Sequence, residues 1–200
     1  MPKAFSEKER EVIYSRLKTE AKHCLSVFGV RKTTVDEIVK RVNIPKGTFY
    51  LFYDSKELLL FDVLLEFHEQ VNALVQSRLE QLGAQPDVQA VTGLLFDVYQ
   101  LVQPSFLYSL MTSGELEYLM RRLPPEAAQK HSHTDDLNLE QLLAFFPHKS
   151  SIDTKVFSAA LRAVFMTAMF KHEIGHDQFD GALWLMLRGV VMQMMGEQET

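Results

Sequence analysis

The sequence predicts an all-α fold, with an N-terminal three-helix helix-turn-helix head in residues 1–55 and a C-terminal helical domain in residues 56–200. Three observations lead there. Apolar residues return every three to four positions along most of the chain, and no stretch alternates with the period of two that marks a half-buried strand. Capping pairs and Gly or Pro breaks cut this pattern into segments of helical length. Charge is also divided: Met1 to Leu60 hold 12 Lys+Arg against 8 Asp+Glu, a surplus of +4, whereas the other 140 residues carry −9, which gives the net −5. A basic head on an acidic body is the asymmetry expected where only one part meets a polyanion.

Each element follows from its residues. Ser6 with Glu9 forms a capping box, and Ile13, Leu17, Ala21, Cys24, Leu25 and Phe28 then share one helical face. Gly29 stops this helix. Thr34 with Glu37 is a second capping box, after which Val35, Ile38, Val39 and Val42 give a short helix one buried stripe. Asn43-Ile44-Pro45 breaks it, because Asn tolerates the left-handed backbone of a tight turn and Pro suits the first position of a new helix. A very short helix over 45–52 follows. Asp54 with Glu57 caps a long helix that runs through Leu58, Leu65 and Leu79 to Gly83. Beyond it, Pro86, Pro104, Pro124-Pro125 and Pro147 punctuate helical segments near 87–102, 105–123 (broken near Ser113), 126–146, 153–174 and 178–196. The polar stretch 129–138, with His131 and His133, reads as a loop.

Several function classes drop out. No apolar run reaches the ~18 residues that span a bilayer, so no membrane partner is expected. The opening residues go straight into charge, unlike a signal peptide. Cys24 is the single cysteine and cannot form an internal disulfide, which fits a reducing cytoplasm. No Gly-rich phosphate loop and no G-x-S-x-G occurs, and no cofactor is implied.

The informative stretch runs from Thr34 to Lys56. A capped helix, a turn of about three residues and a second short helix make the helix-turn-helix arrangement. The second helix carries residue types suited to a major groove. Gly47 lets the backbone approach a duplex closely, and Thr48 offers a hydroxyl and a methyl to base edges. Lys46 brings positive charge. Tyr50, Tyr53 and Lys56 can donate to phosphates, and Thr34 stands where a free helix N-terminus can meet one.

Thr33-Thr34-Val35-Asp36-Glu37-Ile38, then Pro45-Lys46-Gly47-Thr48-Phe49-Tyr50, then Ser55-Lys56-Glu57-Leu58 resemble the signature of the TetR family of bacterial transcriptional regulators in order and spacing. Phe28-Gly29 matches the end of that family's first helix. The match covers about residues 8–60. Two positions depart from the family pattern: Asn43 stands where Gly is usual, and the aromatic pair Phe52-Tyr53 ends in Tyr instead of Phe. Tyr53 in a core position needs a partner for its hydroxyl, or turns that hydroxyl toward DNA.

The resemblance implies a ligand-responsive homodimeric repressor that binds a palindromic double-stranded DNA operator and is not an enzyme. It also implies a variable helical domain that holds a small ligand. Tyr99, Phe106, Met111, Tyr118, Phe146, Phe165 and Met169 are the expected lining, since aromatic and methionine side chains suit an apolar or aromatic ligand. Ala182, Gly189 and Gly196 recur every seven residues on the last helix, with Met186 and Val190 around them, and Ala160 and Ala163 form a similar strip one helix earlier. These small residues permit close approach, so Ala160, Ala163, Ala182, Met186, Gly189 and Val190 are the expected dimer interface, a four-helix bundle shared by two copies.

One motif points elsewhere. His172-Glu173-Ile174-Gly175-His176 is a literal H-E-x-x-H, which in zinc hydrolases sets two imidazoles on one face of a continuous helix. Gly175 inside the motif, followed by Asp177 and Asp180-Gly181, should end the helix and leave His176 in a turn, so no metal site is expected. Two alternatives to the regulator remain: a zinc-dependent hydrolase built on this segment, and a helical ligand-binding protein whose head does not bind DNA.

Overall fold

The computed structural model describes residues 5–83, 85–127 and 153–196, and among these every regular element is helical. The elements are α1 (Glu7–Lys32), α2 (Val35–Val42), α3 (Lys46–Phe49), α4 (Lys56–Leu82), α5 (Val88–Val102), α6 (Phe106–Thr112), α7 (Glu115–Met120), α8 (Thr154–Met166), a 3-10 turn (Thr167–Phe170), α9 (Lys171–Ile174) and α10 (Phe179–Met195). The segment expected near 126–146, with Phe146, His131 and His133, lies outside the described residues apart from its first two positions.

The chain divides into two compact units, one of residues 1–68 with 105–128 and one of 69–104 with 129–200. These do not coincide with a boundary at 55/56. The first unit takes in the start of α4, whose Leu59, Leu60, Val63 and Leu64 are buried, and the chain returns to it for α6 and α7.

In the first unit Leu17, Ala21, Cys24 and Leu25 of α1 face inward together with Ile38, Val39 and Val42 of α2 and Phe49 of α3. Burying a side chain of this size stabilises by about 1.5–3 kcal/mol. The Ser6–Glu9 box forms in both directions. Helix α1 does not stop at Gly29 but breaks there and resumes to Lys32: Gly29 has φ 71° and ψ −174°, a left-handed φ that suits glycine. Asn43 adopts the left-handed conformation, φ 61° and ψ 52°. Pro45 sits one place earlier than expected, as the residue before α3, and α3 closes at Phe49 instead of Phe52. Helix α4 is capped by Ser55, whose Oγ accepts from Leu58 N–H at 3.2 Å, and not by Asp54.

In the second unit α5 and α8 both pack against α10. Phe179, Leu183, Leu187, Val191 and Met194 form the buried face of α10. Trp184 meets Phe96 edge to face at 5.5 Å, and Phe179 meets Tyr99 at 5.8 Å. Asp87 caps α5 by accepting from Ala90 N–H at 2.7 Å. The segment expected as one helix over 153–174 is three pieces, because the 3-10 turn interrupts it.

Candidate nucleic-acid interface

Thr34 Oγ1 accepts from Glu37 N–H at 3.2 Å and so opens α2. The Glu37 carboxylate does not complete the box; it accepts from Arg41 Nε at 2.6 Å one turn on. At the other end Asn43 and Ile44 return their N–H groups to Lys40 and Val39 carbonyls at 3.3 and 3.1 Å. The turn therefore leaves few main-chain groups unpaired and launches α3 at a defined angle.

Helix α3 is anchored by Phe49, which is fully buried and meets Tyr50 edge to face at 5.3 Å. Around this anchor Lys46, Gly47 and Tyr50 are exposed and Thr48 is half-buried. A Cβ placed on Gly47 would meet nothing within 4 Å, so the first turn of α3 is open to a large partner. Lys46 Nζ pairs with the Asp36 carboxylate at 2.9 and 3.0 Å, which draws the N-terminal ends of α2 and α3 together. That hydrogen bond holds the Lys46 pKa above its ordinary value. An exposed pair of this kind is worth little, so a phosphate can displace the carboxylate. Thr34 thus caps the start of α2, and Lys46, Gly47, Thr48 and Tyr50 belong to the short α3 and its C-cap, whose first residue pairs with the first turn of α2.

Tyr53 and Lys56 are turned to other partners. Tyr53 is 9% exposed, and its hydroxyl donates to Asp62 Oδ2 at 2.6 Å. Tyr14 donates to the same oxygen, and the two phenol rings stack at 5.5 Å. Burial pushes the Tyr53 phenol pKa up, and the bond to Asp62 adds to the shift. A phosphate-donor role for Tyr53 does not fit this arrangement. Lys56 Nζ donates to Val30 O at 2.9 Å and Thr33 O at 2.6 Å, where an ammonium complements the carbonyls at a helix C-terminus. At most one ammonium proton remains for a phosphate.

Sequence reasoning missed Asp36, Asp62 and Glu115. Only Asp62 left a trace: Tyr53 in a core position demanded a partner. Nothing local pointed to Glu115, which lies 85 residues from the amide it accepts, Val30 N–H.

The expected ligand-lining residues fall in separate units. Phe106, Met111 and Tyr118 belong to the first; Tyr99, Phe165 and Met169 belong to the second. Phe106 is buried edge to face against Phe67 at 5.5 Å, and Tyr118 carries the Arg31 and Arg122 guanidinium groups at 4.7 and 4.5 Å. Tyr99 is buried, with its hydroxyl 3.4 Å from both Lys171 Nζ and Asp180 Oδ1. Burial raises its pKa although Lys171 acts in the opposite sense. Of the expected dimer residues, Ala163 and Gly189 are exposed, and Ala160, Ala182, Met186 and Val190 are half-buried. Leu185, on the same helix as Ala182, Met186, Gly189 and Val190, is 70% exposed.

In the H-E-x-x-H segment the helix ends at Ile174, and Gly175 takes φ 117° and ψ 111°. His176 lies in the following turn, exposed, 3.7 Å from Asp177. Among the described residues no three His, Cys, Asp or Glu side chains gather as a metal site requires. No helix among them is long and apolar enough to cross a membrane.

Residues 19–63 match the family described as bacterial regulatory proteins, tetR family. The chain is similar to the HTH-type transcriptional regulator YdgC of Bacillus subtilis, 28% identical over 144 residues that cover 70% of this chain and 71% of the relative. Among solved structures it resembles the transcriptional regulator FadR of Bacillus subtilis in complex with stearoyl-CoA, with TM-score 0.63, 16% identity, and coverage of 90% of this chain and 99% of that one. It also resembles NalD, the secondary repressor of the MexAB-OprM multidrug efflux pump in Pseudomonas aeruginosa, with TM-score 0.62, 16% identity, and coverage of 96% and 100%.

Proposed function

From the match of residues 19–63 to the bacterial regulatory proteins of the tetR family, we propose that the chain is a TetR-family, ligand-responsive, homodimeric repressor that reads a palindromic operator through α2 and α3. The observation that carries this reading is the open first turn of α3, with Lys46, Gly47, Thr48 and Tyr50 presented around a buried Phe49 anchor. Gly47 admits the duplex to the backbone, Thr48 reads base edges, and Thr34, Lys46 and Tyr50 take phosphates. Tyr53 acts from inside by fixing the end of α3, and Lys56 fixes the start of α2 while offering a phosphate its remaining proton.

Two copies pair through Ala160, Ala163, Ala182, Met186, Gly189 and Val190, whose small and apolar side chains allow close helix approach. An apolar or aromatic effector in the helical body favours a head spacing that does not fit the operator, with Tyr99, Phe165 and Met169 as its lining in the second unit. The stearoyl-CoA bound to FadR and the repressor role of NalD support this reading. The setting is the cytoplasm, where the single thiol Cys24 stays reduced.

The test is selection of duplexes from a random-sequence library by the full chain. A palindrome should emerge, with half-sites about one helical turn apart, ~34–36 Å. Thr48→Ala should weaken binding to the selected duplex by about 1–3 kcal/mol, as for loss of a base contact, and Tyr50→Ala should weaken binding to all duplexes alike, as for loss of a phosphate contact, while the protein stays dimeric. Wild-type binding by both variants would remove α3 as the reading helix.

A further inference from the structure

We propose that Glu115 is a positioning residue for DNA reading: its carboxylate pins the kink at Gly29 near the end of α1 and so holds α2 and α3 in the pose the operator requires. The role deepens the DNA-reading function and rests on it.

The argument starts at Gly29. Its φ of 71° takes the chain out of the α1 ladder, so the next amide, Val30 N–H, needs an acceptor from elsewhere. Glu115 Oε2 is that acceptor, from the first residue of α7. The fit leaves no room: a Cβ on Gly29 would stand 2.8 Å from the Glu115 carboxyl carbon. The following groups are held just as specifically. Val30 O and Thr33 O accept from Lys56 Nζ. Thr33 is fully buried, and its hydroxyl donates to Gly29 O at 2.6 Å. Arg31 lies over the ring of Tyr118, a second contact between this segment and α7.

The consequence is mechanical. Thr34, the cap of α2, follows Thr33 directly, so a displacement at residues 29–33 reaches α2 within one residue. The link to α7 is a directional hydrogen bond to a charged acceptor. Apolar packing would let the surfaces slide; this bond is either made or broken. Moving α7 therefore moves the start of the reading unit.

The experiment uses the full chain, the duplex selected above and a scrambled duplex of equal length. Glu115→Gln keeps an acceptor oxygen, and Glu115→Met keeps the volume but removes it. The Gln variant should bind the selected duplex within about threefold of wild type. The Met variant should bind it about tenfold or more weakly, within the range usual for coupled sites. Both should bind the scrambled duplex equally, because the phosphate-facing cations are unchanged. Hydrogen exchange at the Val30 amide should be slow in wild type and the Gln variant and fast in the Met variant. A merely structural loss would weaken both duplexes together and would not separate Gln from Met. Equal affinity of the two variants for the selected duplex, or an unchanged Val30 exchange rate in the Met variant, overturns the positioning role while leaving DNA reading in place. If the wild type selects no sequence, the DNA-reading function itself falls, and this role with it.

Discussion

In the first unit the ends of separate helices are joined by aimed polar groups: two phenols on one Asp62 oxygen, the Lys56 ammonium on two carbonyls, and the Glu115 carboxylate on a single amide. In the second unit α5 and α10 meet along Leu183, Leu187, Val191 and a run of aromatic rings, with the Tyr99–Lys171–Asp180 group as a polar knot at one end. Both are well buried, but they are specified differently. Apolar faces accept volume-conserving changes of shape at modest cost. A hydrogen bond to a charged group loses most of its value when its geometry shifts. A surface that must meet a duplex in register gains from the second kind of joint.

The largest effect should come from the anchor that the polar joints surround. Phe49→Ala should destabilise the head by about 3–5 kcal/mol and abolish binding to the selected duplex. Denaturant unfolding measures this, and a loss below about 1 kcal/mol would mean that α3 is not held by its core residue.

Tyr53→Phe sharpens the comparison, because it removes one oxygen and no apolar contact. Losing a hydrogen bond to a carboxylate should cost about 1.5–3 kcal/mol. The folded-state pKa of Tyr53 is raised above the ordinary phenol value of 10.0. Its contribution is therefore complete below that value and is lost as pH rises above it. The stability gap between wild type and Tyr53→Phe should be widest near neutrality and narrow above about pH 10. A gap that stays constant into alkali would show that the hydroxyl is not what holds the helix end.

Leu187→Met is the counterpart in the second unit. It conserves volume in an apolar face and should cost less than about 1.5 kcal/mol, with no change in affinity for the selected duplex. A larger loss would show the α5–α10 packing to be as exacting as the polar joints.

The smallest effects belong to the His172–His176 segment. Glu173→Gln and His176→Ala are exposed changes and should stay within about 0.5 kcal/mol in stability, leaving duplex binding unchanged. Protein purified without chelator should carry far less than one zinc per chain, measured by elemental analysis. Stoichiometric zinc lost in His176→Ala, together with a hydrolytic activity, would give this half of the chain a different function.

Local instructions were legible along the chain. The Ser6–Glu9 box, the left-handed Asn43 and the end of helix at Gly175 each depend on a residue and its near neighbours, and each is found where its chemistry put it, whereas Gly29, read as a stop, is a kink within α1. The exposure of Thr34, Lys46, Gly47 and Tyr50 around a buried Phe49 was legible for the same reason, since a capped helix, a turn and a short helix carry their own spacing. The cap of α4 was misread by one residue because Asp54 and Ser55 are both competent caps and only the backbone path chooses between them.

What the residues alone determined is the all-helical fold, the order of the helices in the head and the apolar face each presents there. Tertiary structure alone decided which polar groups those faces bring together. Tyr53 looked free to meet DNA until packing brought its hydroxyl to Asp62 Oδ2, the oxygen that also accepts from Tyr14, 48 residues earlier than that Asp. Lys56 looked free to give all three protons to a phosphate until the end of α1 took two of them. A helix period is set by bonds that reach four residues and can be read locally, whereas a hydrogen bond between distant side chains exists only once packing has placed both ends within about 3 Å.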